Sequence, residues 1–369
     1  MPDTSATHAD PPFGLARSSN RLRYPRQLFW FQRLTQEKRG SDRDDIRAHP
    51  GAQDLTKDVI AFLFRVVTAW ASALLLAWSL GSGAAQAPRA AVPVITVSQQ
   101  TGAVYPGDVV LLTASARQPV TEIRGSAFGR PLIFWPGAAG EWHTLVAVGL
   151  ETKPGSHSVT LEGIRPSGAS ATRSVQLKVQ PKQFETRRLS VSAQFVDPPA
   201  SEAARIEHDA KLMASLFAQP SQERLWRGTF VTPVPGRASS SFGRLSVFNG
   251  QPRGRHQGAD FSAATGTPVR APNNGRVVLA EDLYFSGNTV ILDHGAGLFS
   301  LLAHLSRIAV APGSVAEKGE VLGESGATGR VTGPHLHWAV RLGAVSVDPL
   351  SLMSAAAQVP ETPERSAAP

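Results

Sequence analysis

The sequence predicts a mainly β protein: an N-terminal immunoglobulin-like β-sandwich and a C-terminal antiparallel β domain, joined by a helical connector. Three observations carry that prediction. Short runs rich in Val, Ile, Leu, Thr and aromatic residues recur from residue 92 to about 350, and turn signals such as Pro106-Gly107, Pro154-Gly155 and Asn274-Gly275 separate them. Gly and Pro are plentiful, 33 and 28 among 369 residues, as many short strands joined by turns require. A helical apolar period is kept only between the two β regions, where Ile206, Ala210, Met213 and Phe217 recur at spacings of four, three and four.

In chain order, residues 1–58 are polar and show no apolar period, so disorder is expected. Residues 59–80 are almost wholly apolar, but Arg65 divides the run and leaves Val66–Leu80, the length of a signal-peptide core. Small residues from Gly81 to Ala87 follow, with Ala85 the better cleavage point because Pro88 disfavours a cut after Ala87. Residues 59–87 are therefore expected to be a signal peptide or an uncleaved signal anchor, with possible membrane attachment through 59–80 in the second case. The long polar leader is unusual, and a translation start near Val59 would remove it. Either way the rest of the chain is expected in the periplasm or cell envelope.

Residues 92–183 supply seven β-rich runs, at Val92–Val97, Asp108–Thr113, Val120–Ile123, Leu132–Trp135, Trp142–Ala147, Ser156–Leu161 and Ser174–Val179, the number and spacing of an immunoglobulin-like sandwich. His143 and His157 have no visible partners there and read as structural or surface residues. Residues 184–229 form the connector, with a helix starting after Pro198-Pro199 and running to about Gln219. Its apolar stripe is expected to pack against one of the domains. Residues 230–353 form the second domain, with strands at 275–280, 288–293, 298–303, 321–324 and 335–341. The Ala-, Pro- and Glu-rich tail, 354–369, is expected to be disordered.

Composition excludes several chemistries. With no cysteine, a disulfide framework, a thiolate metal site and a cysteine nucleophile are all ruled out. The net charge is +8, but Lys and Arg are scattered, without a basic helix or aromatic interleaving. No nucleic-acid partner is expected; attraction to an anionic surface such as a cell wall or membrane is the milder inference.

The chemistry-bearing residues lie in the second domain. His256 and Asp260 stand four apart with Gly258 between them, and an extended segment points both to one face. In His335-Leu336-His337 the period of two puts the imidazoles side by side and turns Leu336 to the core. His304 lies between the two stretches. Two imidazoles and a carboxylate make the donor set of a catalytic Zn²⁺ with a fourth position open, and the surplus imidazoles suit a hydrolase.

Together these residues resemble the lysostaphin/LytM-type zinc endopeptidases of bacterial cell walls. The resemblance covers roughly 230–352. It rests on His256 and Asp260, the segment Asn288–His294, Ala303-His304-Leu305, Thr332-Gly-Pro-His-Leu-His-Trp338 and Val347-Asp-Pro-Leu350, and the stretch Gly266–Val277 also looks like the family's. It implies that His256, Asp260 and His337 bind one zinc ion and that His304 and His335 are the catalytic pair. They would assist a zinc-activated water in hydrolysing peptide cross-links of peptidoglycan. By analogy with a Gram-negative wall, the bond is a D,D cross-link to diaminopimelate. An imidazole base of ordinary pKa, about 6.5, predicts loss of activity below about pH 6. Leu302 stands where the family often has an aromatic residue, and His294 has no role in the pattern and reads as structural. The alternative is a non-catalytic LytM-type activator or scaffold for another wall hydrolase; the complete His/Asp set argues against it.

Overall fold

The computed structural model describes residues 95–99, 102–240 and 242–360. The expected leader at 1–58 and the signal segment at 59–87 lie outside these residues, as does residue 361 onwards. Among the described residues no helix is long and apolar enough to cross a membrane.

Residues 95–179 form eight strands: β1 (Ile95–Gln99), β2 (Val109–Ala116), β3 (Glu122–Ala127), β4 (Arg130–Pro131), β5 (Trp135–Pro136), β6 (Glu141–Ala147), β7 (Gly155–Ile164) and β8 (Ser170–Val179). They make two four-stranded sheets, ordered β1-β2-β6-β5 and β4-β3-β7-β8, with every neighbour antiparallel. Val110, Leu112, Ala114 and Val146 of the first sheet share a core with Ile123, Val159, Leu161 and Leu177 of the second. The strand expected at Leu132–Trp135 is only partly formed. Pro131 and Pro136 bracket that run and donate no ladder hydrogen bonds, so only Trp135–Pro136 pairs with β6, while Leu132 N donates to Gly125 O (2.9 Å).

Residues 184–229, expected as a helical connector, hold more structure than a helix. Strand β9 (Thr186–Leu189) precedes helix α1 (Ala203–Ala218). Helix α1 lays Leu212, Met213, Leu216 and Phe217 over Leu279, Leu283, Ile291 and Phe299 of the second domain. Of the expected stripe, Ala210 is exposed; its neighbour Asp209 turns inward instead and accepts from Tyr284 N at 2.8 Å.

The second domain continues with β10 (Ala238–Ser240), β11 (Leu245–Phe248), β12 (Gln251–Arg255), β13 (Gly258–Phe261), β14 (Pro268–Arg270), β15 (Gly275–Leu283), β16 (Gly287–Gly295), β17 (Leu298–Ile308), β18 (Val315–Ala316), β19 (Val321–Ser325), β20 (Leu336–Leu342) and β21 (Val345–Val347). Helix α2 (Pro349–Ala356) closes it. The main sheet runs β10-β13-β20-β17-β16-β15-β18, with β19 joining β17 to β14 and β21 beside β20. A separate three-stranded sheet, β12-β11-β9, pairs the connector strand in parallel with β11. Asp348 caps α2 by accepting from Leu350 N at 2.9 Å, and Pro349 takes the first turn, where a missing N–H costs nothing. Leu352, Ala355, Ala356 and Val359 are buried, so the packed chain extends beyond the boundary expected at Met353 into the segment expected to be a disordered tail.

The two β regions share a core. Val109 and Leu111 point away from the core shared by the two four-stranded sheets while Val110 and Leu112 point into it, because successive strand residues face opposite ways. Val109, Leu111, Trp135 and Leu145 pack with Trp226, Val345 and α2. Two hydrogen bonds fix this contact: Val109 N to Ser351 Oγ (3.0 Å) and Asp348 N to Gly107 O (2.8 Å).

Candidate functional site

Three neighbouring strands bring the site together by register. Asp260 of β13 lies opposite His337 of β20, and His337 lies opposite Ala303 of β17. His256 enters from the turn before β13. Gly258 permits this approach: a Cβ there would come within 2.5 Å of Trp338 O and 2.8 Å of His337 Cε1. His335 stands just before β20, joined to Gly326 by an isolated bridge, and Leu336 is fully buried on the opposite face.

His304 departs from the strand. The β16–β17 ladder shifts register around it and its φ is +65°, a conformation few residues other than glycine adopt. Its backbone N donates to Ser286 O (2.9 Å), which ties the kink to the β15–β16 turn. A bulge at this point re-aims the side chain, and such strain concentrates at functional sites.

Donor atoms of His256, Asp260 and His337 converge. Asp260 Oδ1 lies 2.9 Å from His256 Nε2 and 2.8 Å from His337 Nδ1, and the two nitrogens are 3.1 Å apart. These three residues form a group able to hold a metal ion. Lone pairs directed at one point repel unless a proton or a cation lies among them. Two imidazoles and one carboxylate match the three-ligand set of a catalytic metal with an open position. Burial pushes the Asp260 carboxyl up, but the hydrogen bonds and charges of His256 and His337 outweigh it, and its pKa lies below the ordinary carboxylate range. The His337 imidazole is pushed down, mainly by burial.

The other two imidazoles flank this group. His304 and His335 rings are 4.9 Å apart, His304 and His337 rings 5.9 Å, and His335 Nε2 is 3.9 Å from Asp260 Oδ1. Both are set by backbone carbonyls: His304 Nδ1 lies 2.9 Å from Thr328 O and His335 Nδ1 lies 2.8 Å from Gly333 O. A carbonyl can only accept, so each Nδ1 carries the proton and each Nε2 of the neutral ring keeps a lone pair. Burial, followed by the charges of His337 and His335, holds the His304 pKa down to about 3. No sequence signal marks Thr328, and although Gly333 falls within the Thr332–Trp338 motif, the part its carbonyl plays is not legible there, because both contributions are backbone oxygens.

His294 lies apart from these residues. Its Nδ1 donates to Asn274 O (2.7 Å), its Nε2 accepts from Ser300 Oγ (2.8 Å), and Ser300 Oγ accepts from Trp338 Nε1 (3.1 Å). Both ring nitrogens are used, and burial holds the pKa down to about 4. In the first β region, His143 Nδ1 bonds Thr113 Oγ1 (2.9 Å) and His157 Nε2 bonds Lys153 O (2.8 Å), both remote from the site.

A groove of about 610 Å³ opens over the five site residues. The small sheet forms one wall, with Arg187, Leu189, Ser246 and Phe248 lining it, and Met213 of α1 reaches its edge. Leu301 lines the groove, whereas Leu302 is fully buried in the core and supplies no substrate-side contact.

Comparison with known proteins is consistent with this geometry. Residues 254–349 match the model of peptidase family M23. The chain is 43% identical over 97 residues to the DD-carboxypeptidase/endopeptidase Mpg of Neisseria meningitidis, covering 26% of this chain and 22% of that one. It is 43% identical over 83 residues to the peptidoglycan DD-endopeptidase ShyA of Vibrio cholerae, covering 22% and 19%. The match thus spans only about a fifth of these curated relatives. A Pseudomonas aeruginosa crystal structure assigned to peptidase M23 is 30% identical, with a TM-score of 0.52, and covers 68% of this chain and 95% of its own. Likeness across nearly the whole of that relative, together with the matched segment holding all five site residues, means that this chain belongs to peptidase family M23.

Proposed function

We propose that this protein is a zinc-dependent endopeptidase of bacterial peptidoglycan that cuts peptide cross-links, with D,D specificity. The observation that carries the reading is the convergence of His256 Nε2, Asp260 Oδ1 and His337 Nδ1 beside two imidazoles whose Nδ1 atoms are fixed by carbonyls. The name of the Vibrio cholerae relative, a peptidoglycan DD-endopeptidase, supports the substrate class, and that of the Neisseria relative supports the DD bond.

His256, Asp260 and His337 would hold the metal. When bound, zinc supplies a Lewis acid and lowers the pKa of coordinated water towards about 7. The chain's own residues supply the proton path. His304, whose Nδ1 donates to Thr328 O and whose Nε2 keeps its lone pair, would take the proton of the attacking water and return it to the leaving amine. His335, its ring 4.9 Å from that of His304 and its Nδ1 committed to Gly333 O, would donate to the oxyanion that develops on the scissile carbonyl through Nε2, in the form that carries a proton there. We read residues 92–183 as an immunoglobulin-like sandwich, 184–229 as the connector and 59–87 as the export segment, which places the enzyme in the periplasm or cell envelope, where its polymer is.

The test is release of peptide fragments from purified sacculi with and without a chelator. Chelator-sensitive cleavage that returns on addition of Zn²⁺ is expected, and mass spectrometry of the fragments names the bond. A protein that holds zinc yet releases nothing would refute the reading.

A further inference from the structure

The groove wall carries six arginines, Arg187, Arg244, Arg253, Arg255, Arg330 and Arg341. Arg244 pairs with Glu185 at 3.1 Å, Arg253 with Asp197 at 3.3 Å and Arg255 with Glu151 at 3.6 Å. Arg341 donates to Ala344 O at 2.6 Å and lies over the Phe217 ring. Among the described residues, Arg187, Arg330 and Arg341 have no carboxylate at ion-pair distance, and of the three only Arg330 lies over two aromatic rings.

Arg330 is nonetheless held in place. Its guanidinium lies 4.7 Å from the Phe285 ring centroid and 5.1 Å from that of Phe248, and its backbone N donates to Phe285 O (2.8 Å). The next residue of that turn, Ser286, is the one whose carbonyl holds His304 N. Aromatic rings engage the face of a guanidinium and leave its N–H edge for a planar anion. Burial, with Arg253 nearby, disfavours its charge, a cost that an arriving anion would relieve.

We propose that Arg330 is a specificity-determining residue that binds a carboxylate of the substrate, the one borne by the carbon that carries the scissile nitrogen. This rests on the peptidoglycan reading above. A diaminopimelate residue cross-linked through its distal amine retains a free carboxylate on that same carbon, so the anion lies two bonds from the scissile nitrogen. A lysine at the same place carries only hydrogen there. The guanidinium would thus select the diaminopimelate cross-link by a charge-assisted, bidentate contact within the groove that His304 also lines.

The experiment uses the zinc-loaded protein and two soluble cross-linked stem peptides, identical except that this carboxylate is free in one and a carboxamide in the other. The wild type should prefer the free carboxylate by about ten- to a hundredfold in kcat/KM, the range of a charged hydrogen bond. R330Q should lose that preference, chiefly by raising KM for the acid, so that its kcat/KM values for acid and amide converge. R330K, which keeps the charge without the planar fork, should retain part of it; R255Q, which removes a paired arginine from the same groove, should keep the preference. A wild type indifferent to the carboxylate, an R330Q that still discriminates, or an R255Q that loses discrimination equally would each overturn the proposal. Cleavage of neither peptide by zinc-loaded wild type would instead refute the endopeptidase reading itself.

Discussion

Asp260 shows how few residues decide the chemistry. Its Oδ1 meets nitrogens of both His256 and His337, so its removal deletes a donor and leaves two imidazoles in contact with nothing to reconcile them. Asp260→Ala is expected to lose bound metal, measured by metal analysis after dialysis. His304→Ala and His335→Ala should keep the metal and lose roughly 10²–10⁴-fold in turnover, the usual worth of a placed proton-transfer group. Near-normal turnover in either variant would contradict the assigned roles. His294 yields a prediction of a different kind. Its folded pKa of about 4 lies below the unfolded value of about 6.5, so in that interval the unfolded chain binds more protons. Its contribution to stability is therefore complete above pH 6.5 and is lost as pH falls towards 4, by roughly 3 kcal/mol in all. Denaturant titrations across this interval should show that slope, and His294→Gln should flatten it; an unchanged slope would contradict the burial argument.

At the scale of elements, the site depends on the pairing of β13 with β20, and Gly258 is its tightest point. A Cβ there meets backbone at Trp338 O, which cannot give way as a flexible side chain would, and the ring of His337 beside it. Gly258→Ala should therefore weaken metal affinity by displacing His337 and cost about 1–3 kcal/mol of stability as overpacking does; isothermal titration of the metal-free protein with Zn²⁺ checks the first part. The parity of His335, Leu336 and His337 was legible in the sequence, but the pairing of β13 with β20 and the entry of His256 from a turn were not, because register across strands leaves no local spacing. The kink at His304 was not legible. It arises from a register shift between β16 and β17 and a carbonyl of the preceding turn, neither of which leaves a residue signature. Strand β9 was hidden for a related reason. Thr186-Arg-Arg-Leu189 is too short and polar to stand out, and it becomes a strand only because β11, more than fifty residues later, offers an edge. Arg330 escaped notice because its seat between Phe248 and Phe285, with no carboxylate at ion-pair distance, is a property of the folded groove and not of its neighbours in sequence.

For the molecule as a whole, the sheet β1-β2-β6-β5 decides how the two β regions behave. An isolated sandwich would keep polar residues on its outer face. Here Val109, Leu111, Trp135 and Leu145 face outward and are all at least 94% removed from solvent, because the second domain covers them with Trp226, Val345 and α2. The run Val109-Val-Leu-Leu112, apolar at both parities, already carries that information in the sequence. Excising residues 92–183 would thus uncover a face of the second domain's own core and not release an independent enzyme. The two regions should unfold together. Calorimetry of the wild type is expected to show one transition for them, and Leu111→Ala, which opens a cavity at the shared core, should lower it as a single peak by the 2–5 kcal/mol typical of such truncations. Two separated transitions, or a variant in which only the sandwich melts early while chelator-sensitive activity survives above that temperature, would show that the shared core does not couple them.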